Sequence, residues 1–153
     1  MKYYGYMQRE EFEQLVAEGY DLLPEWVKKK IKNVALLVDD EPSAEVRARE
    51  GLGPHETLLG YYHGVPLSER GDLYGVGGAV LPDTITIFQK PILDAAKEEA
   101  FPLVVSGVDP GASEDIYKEC VRKIVADTVW HEFAHHFGMD EYEVRMRENE
   151  RGI

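Results

Sequence analysis

The run from Ser113 to Phe137 constrains the chain most, because it reads as one uninterrupted helix with a wide apolar stripe. Ile116, Tyr117, Cys120, Val121, Ile124, Val125, Val129, Phe133 and Phe137 fall on that stripe at helical spacing. A stripe so broad belongs to a mostly buried helix, and it predicts a helix lying against a sheet. Ser113, with Glu114 and Asp115 behind it, provides an N-terminal cap. Gly138 provides the residue that can end the helix in a left-handed conformation and turn the chain back.

Toward its C-terminal end this helix spells His131, Glu132, Phe133, Ala134, His135. Four residues make about 400° of rotation, so both imidazoles leave one face a turn apart. That spacing lets two neutral ring nitrogens reach one Zn²⁺ at roughly 2.0–2.1 Å. Glu132 is offset by about 100°, beside the metal rather than on it, where a carboxylate can take a proton from an attacking water. The chemistry implied is metal-assisted hydrolysis, most simply of a peptide bond. A catalytic zinc usually has three protein ligands, and the third must come from where the chain can return. Glu141, just beyond the Gly138 turn, is the first candidate and Asp140 the second; Glu148 and Glu150 qualify only if a terminal helix folds over the site.

Other polar residues on or near the helix have ordinary readings. His136 points about 100° from His135 and reads as a packed or supporting histidine. Asp127, one turn before His131, either accepts the imidazole's second N–H or pairs with Lys123 along the helix surface. His55 and His63 read as loop and strand residues, although His63 adjoins a glycine-rich stretch. Cys120, the single cysteine, lies on the apolar stripe and reads as a small core residue.

The remaining elements follow from periodicity and punctuation. Residues 9–18 place Phe12, Leu15 and Val16 on one face of a helix ended by Gly19. Pro24 opens a short helix to about Lys32, with Trp26, Val27 and Ile31 facing inward. Residues 33–40 are an aliphatic run expected as a buried strand, 41–53 a charged short helix or loop, and 58–64 a second strand. Residues 68–83 read as a long surface loop; no Lys-Ser/Thr follows its Gly-Val-Gly-Gly and Pro82 blocks a helix, which excludes a phosphate cradle. Residues 84–90 alternate buried Ile85 and Ile87 with outward Thr84 and Thr86, a third strand, and Pro91 begins a helix to about Ala100. A loop at 106–113 leads to the motif helix, and 140–150 forms a charged terminal helix. The whole, 1–153, is expected to be one α/β domain of the α+β kind.

Charge narrows the partners. A net charge of −12 opposes nucleic acid and anionic lipid, both of which need a basic surface. No stretch approaches the roughly twenty apolar residues of a membrane span, and the first residues lack the apolar core of an export signal. With one cysteine and no disulfide, the expected compartment is the cytoplasm. The expected partner is a peptide or protein substrate.

The motif region resembles the signature of the zincins, metallopeptidases built around a histidine-bearing active-site helix. HEFAHHFGMDE at 131–141 has the length of the metzincin-type pattern H-E-x-x-H-x-x-G-x-x-H/D, with Glu141 at the third-ligand position where Asp is commoner. The chain is more closely similar to the small bacterial family of minimal zincins. The likeness extends to LLGYYHGVPLSER at 58–70, LPDTITIFQKP at 81–91 and VADTVWHEFAHHFGMDE at 125–141. The resemblance implies a compact fold with a small mixed sheet packed on the active-site helix. It also implies His131 and His135 as zinc ligands, Glu132 as general base and an acidic third ligand. By analogy, an extended substrate peptide is expected along an exposed strand at 84–89. The alternative is a metal-binding module of the same fold that makes protein contacts without turnover.

Overall fold

The computed structural model describes residues 7–31, 33–64, 83–104 and 110–136. In chain order these form α1 (Arg9–Asp21), α2 (Glu25–Lys30), β1 (Val34–Asp39), α3 (Ala44–Arg49) and β2 (Gly60–His63). They continue with β3 (Asp83–Phe88), α4 (Gln89–Val104) and α5 (Pro110–His136). The three strands lie in the order β1-β3-β2, with β3 parallel to β1 and antiparallel to β2. A mixed sheet with helices segregated around it is an α+β arrangement, as the sequence implied.

Ile85 and Ile87 are buried on one face of β3 while Thr84 and Thr86 are half-exposed on the other, so the strand keeps its expected alternation. The position of β3 in the sheet removes one expectation. As the central strand it spends its backbone groups on β1 and β2, so residues 84–89 have no free edge for a peptide. The aliphatic run at 33–40 is not the buried strand its composition implied. β1 has no fully buried residue, and Leu37 is 47% exposed. Val34, Leu36 and Val38 lean on the core, and the alternate residues turn away from it, as happens when only one face of a strand is packed.

α5 is the spine of the molecule. It is held chiefly between α1 and α4 and meets the sheet across β2 and β3, so its partners are helices more than the expected sheet. Tyr117, Cys120, Val121, Val125, Val129, Trp130, Phe133 and Ala134 are buried along it. Trp130, fully buried, lies off the predicted stripe, because helices cover α5 on a second side. The helix also starts earlier than expected. Pro110, with its preset φ, occupies the first helical position, and Ser113 is buried inside the helix rather than capping it.

α1 runs past Gly19 to Asp21 instead of stopping there. The glycine serves a crossing: a Cβ at Gly19 would stand 2.7 Å from the Arg122 carbonyl oxygen and 3.0 Å from Val125 Cβ on α5. Ion pairs flank this contact, Arg122 Nε to Glu18 Oε1 at 2.7 Å and Lys118 Nζ to Glu11 Oε1 at 3.2 Å. Pro24 caps α2 as expected, with Val27 and Ile31 buried. Trp26 is 36% exposed rather than inward, and its ring meets Trp130 edge-on with centroids 5.9 Å apart. α3 is capped by Ser43, whose hydroxyl accepts from the Val46 N–H. α4 begins two residues before Pro91 and carries Pro102 in its last turn, beyond the expected end at Ala100.

Near the first described residues, Arg9 donates to Gln89 Oε1 at 2.7 Å and pairs with Asp40, while Gln89 Nε2 donates to the Met7 carbonyl. These bonds tie the start of α1 to the ends of β1 and β3. Among the described residues, no helix is long and apolar enough to cross a membrane. Most of the expected loop at 68–83 and the expected terminal helix at 140–150 lie outside the described residues.

Candidate metal centre and active site

His131, Glu132 and His135 lie on the last turns of α5, and each meets a different environment. His131 is half-buried, and its Nδ1 stands 3.1 Å from the Asp127 carbonyl oxygen. A carbonyl can only accept, so Nδ1 carries a proton, and in the neutral ring the lone pair is then on Nε2. This is the tautomer a metal ligand needs, fixed by its own helix one turn back. The Asp127 contribution is therefore its backbone oxygen, where the sequence pointed to its carboxylate. Nor does Asp127 pair with Lys123, whose ammonium lies 3.6 Å from Glu99 on α4.

His135 is exposed at the end of the helix. Its ring and that of His131 have centroids 6.2 Å apart and planes inclined at 40°. Two rings bound to one tetrahedral ion at roughly 2.0–2.1 Å have centroids about 5 Å apart, about 1 Å closer than these. An ion shared by the pair requires that closing movement, and His135 is the exposed member. Two imidazoles on one helix face, one of them tautomerically fixed, fit zinc. Among the described residues, no three metal-ligating side chains converge. The third-ligand candidates Glu141 and Asp140, like Glu148 and Glu150, lie outside the described residues.

Glu132 points to β2. Burial pushes its pKa above the usual carboxylate range, and the Glu50 carboxylate acts in the same direction. The Tyr62 backbone N–H, which donates to it, and the two imidazoles act in opposition. The sheet register makes that amide available. Phe88 N–H donates to the Leu59 carbonyl at 3.0 Å, so by antiparallel alternation the N–H of Tyr62 faces away from β3. The strand is held in place by its side chains. Tyr62 Oη donates to Asp83 Oδ2 at 2.9 Å, and the Arg49 guanidinium bonds the Tyr61 phenol.

A cleft of about 390 Å³ opens beside His131 and Glu132. Leu58, Leu59 and Ile124 give it apolar walls, and Asp127 and Thr128 line the α5 side. His55 and His63 are exposed and do not line it. His136 ends α5. Cys120 is buried, and desolvation raises its thiol pKa, in keeping with a core residue.

Tyr62 and Glu50 were missed in the sequence. The Tyr62 contribution is a backbone amide, which leaves no mark in side-chain chemistry. Gly60 did carry a signal: a glycine inside Leu-Leu-Gly-Tyr-Tyr marks a strand approached closely by another element.

Comparison with curated proteins found no match. The family model described as zincin-like metallopeptidase matches residues 31–106 and 114–151, well over half of the chain. That span contains all three strands, the cleft walls and the histidine-bearing end of α5. This chain belongs to the zincin-like metallopeptidase family.

Proposed function

We propose that the protein is a zinc-dependent peptidase that hydrolyses peptide bonds with Glu132 as general base. The observation that carries this reading is the placement, on one helix end, of two imidazoles and a half-buried carboxyl. His131 and His135 would hold the metal, with Glu141 as the acidic third ligand. When bound, zinc supplies a Lewis acid for the scissile carbonyl and lowers the pKa of water toward about 7.

The chain's own groups handle binding and proton movement. Glu132 accepts the proton of the attacking water and delivers it to the leaving amine nitrogen. A carboxyl in both roles benefits from a pKa above its ordinary range, and burial moves Glu132 that way. The Tyr62 N–H favours the ionised carboxylate and burial the protonated one, the two forms the role requires. Leu58, Leu59 and Ile124 give an apolar seat for a substrate side chain next to the reacting bond. The same reading places the protein in the cytoplasm, supported by the lone buried thiol of Cys120.

A peptide-library digest with zinc-loaded protein tests the proposal against Glu132→Gln. Cleavage by the native protein and its loss in the variant, with zinc retained in both, is the expected result. A variant that cleaves as well as the native protein removes Glu132 from the mechanism.

A further inference from the structure

β2 and α5 approach each other more closely than any side chain at position 60 would permit. A Cβ on Gly60 would stand 2.6 Å from Thr128 Cγ2, 3.2 Å from the Thr86 carbonyl oxygen and 3.6 Å from Ile87 Cδ1. The nearest neighbours cannot yield cheaply. Thr128 is β-branched and stiff, and its hydroxyl donates to the Ile124 carbonyl at 2.7 Å, which fixes the direction of its methyl. Thr86 belongs to the central strand, whose backbone is paired on both sides.

The crossing sits where it can act on the site. Thr128 lies three residues before His131 on α5, and Gly60 two residues before Tyr62 on β2. Each element thus carries one side of the crossing and one partner of the Tyr62 N–H to Glu132 interaction that opposes the effect of burial. We propose that Gly60 and Thr128 are positioning residues. Their contact sets the separation of β2 from α5, and so seats the Tyr62 amide on the Glu132 carboxylate. Asp83, accepting from the Tyr62 phenol at 2.9 Å, ties β2 to the start of β3 beside the crossing. A methyl at position 60 lifts the strand, and Glu132 loses the donor that orients it. The catalytic consequence rests on the reading of Glu132 as general base; the geometric claim does not.

Amide hydrogen exchange followed by NMR on the full chain reads the Tyr62 N–H directly and requires no substrate. The Tyr62 amide faces away from β3, so its protection reports the bond to Glu132. In Gly60→Ala that protection is expected to fall about tenfold or more, the scale of one charge-assisted hydrogen bond, while buried α5 amides such as Val125 stay protected. Gly60→Ala/Thr128→Ser removes the methyl at the closest contact, keeps the hydroxyl, and is expected to restore most of the protection. Glu132→Ala must expose the same amide with Gly60 intact, which decides the matter should Gly60→Ala not fold. In peptide hydrolysis, kcat of Gly60→Ala is expected to drop about tenfold or more with KM little changed, and to recover in the double variant.

An unprotected Tyr62 amide in the native protein would overturn the proposal. So would one still protected in Gly60→Ala or Glu132→Ala, or a double variant no better than the single. Native protein that cleaves no peptide counts against the peptidase reading alone, and the exchange data then judge the crossing.

Discussion

Glu132 is a half-buried carboxyl, and its behaviour with pH follows from that placement. Burial raises its pKa in the folded chain above the unfolded value. Between the two values the folded state binds the proton more tightly than the unfolded state. The stabilisation linked to that proton is fully present below the unfolded pKa and is lost as pH rises through the folded pKa. Above the unfolded pKa the metal-free protein therefore gives up that stabilisation, because a charged carboxylate is disfavoured in a desolvated place. Glu132→Gln removes the charge and keeps the acceptor for the Tyr62 amide. Metal-free Glu132→Gln is expected to melt above metal-free native protein at pH 7, with the gap closing at acid pH. Melting curves across that range check the sign, and a variant that melts lower at pH 7 contradicts it. The same substitution with zinc bound is expected to lower hydrolysis by about 10²- to 10⁴-fold, the usual contribution of general acid–base catalysis.

At the scale of elements, the molecule depends on how tightly α5 is gripped. Gly19 on α1 faces the Arg122 carbonyl, so Gly19→Ala must push two helices apart or distort one of them. A loss of about 1–3 kcal/mol is expected in urea unfolding, a size typical of overpacking. A variant as stable as the native protein contradicts the close crossing. Further along α5, Phe133 is fully buried and meets Trp130 with ring centroids 6.0 Å apart. Phe133→Ala is expected to cost about 3–5 kcal/mol through lost burial and the cavity left behind. Phe133 lies between Glu132 and His135 in sequence, so reduced zinc affinity is expected to accompany that loss.

The same elements mark how far the sequence could be read. α5 was legible because its apolar spacing persists over many turns, and the strands because β-branched and aromatic runs stand between breakers. The order of the strands was not, since pairing is decided by contacts distant in sequence. For that reason β3 was assigned a free edge it lacks. Gly19 and Trp130 were misread or missed for one reason: each answers to a neighbouring helix, and local periodicity carries no record of a second packed face. At the site, the histidine spacing was visible in the residues. The Asp127 carbonyl and Tyr62 amide that orient His131 and Glu132 were not, because backbone groups are the same at every position.

For the molecule as a whole, metal and fold are expected to support each other. The helix that bears the histidines is held by α1, α4 and β2, so it is packed before any ion arrives. An ion bound only by the folded state adds stability by mass action, about 2.7 kcal/mol at a hundredfold excess over its Kd. The most direct measurement is zinc content by elemental analysis of the native protein beside His131→Ala, both purified with zinc supplied. About one zinc ion per chain in the native protein and little in the variant is expected if His131 and His135 share a metal. Equal zinc in the two proteins, or none in either, would contradict that shared site.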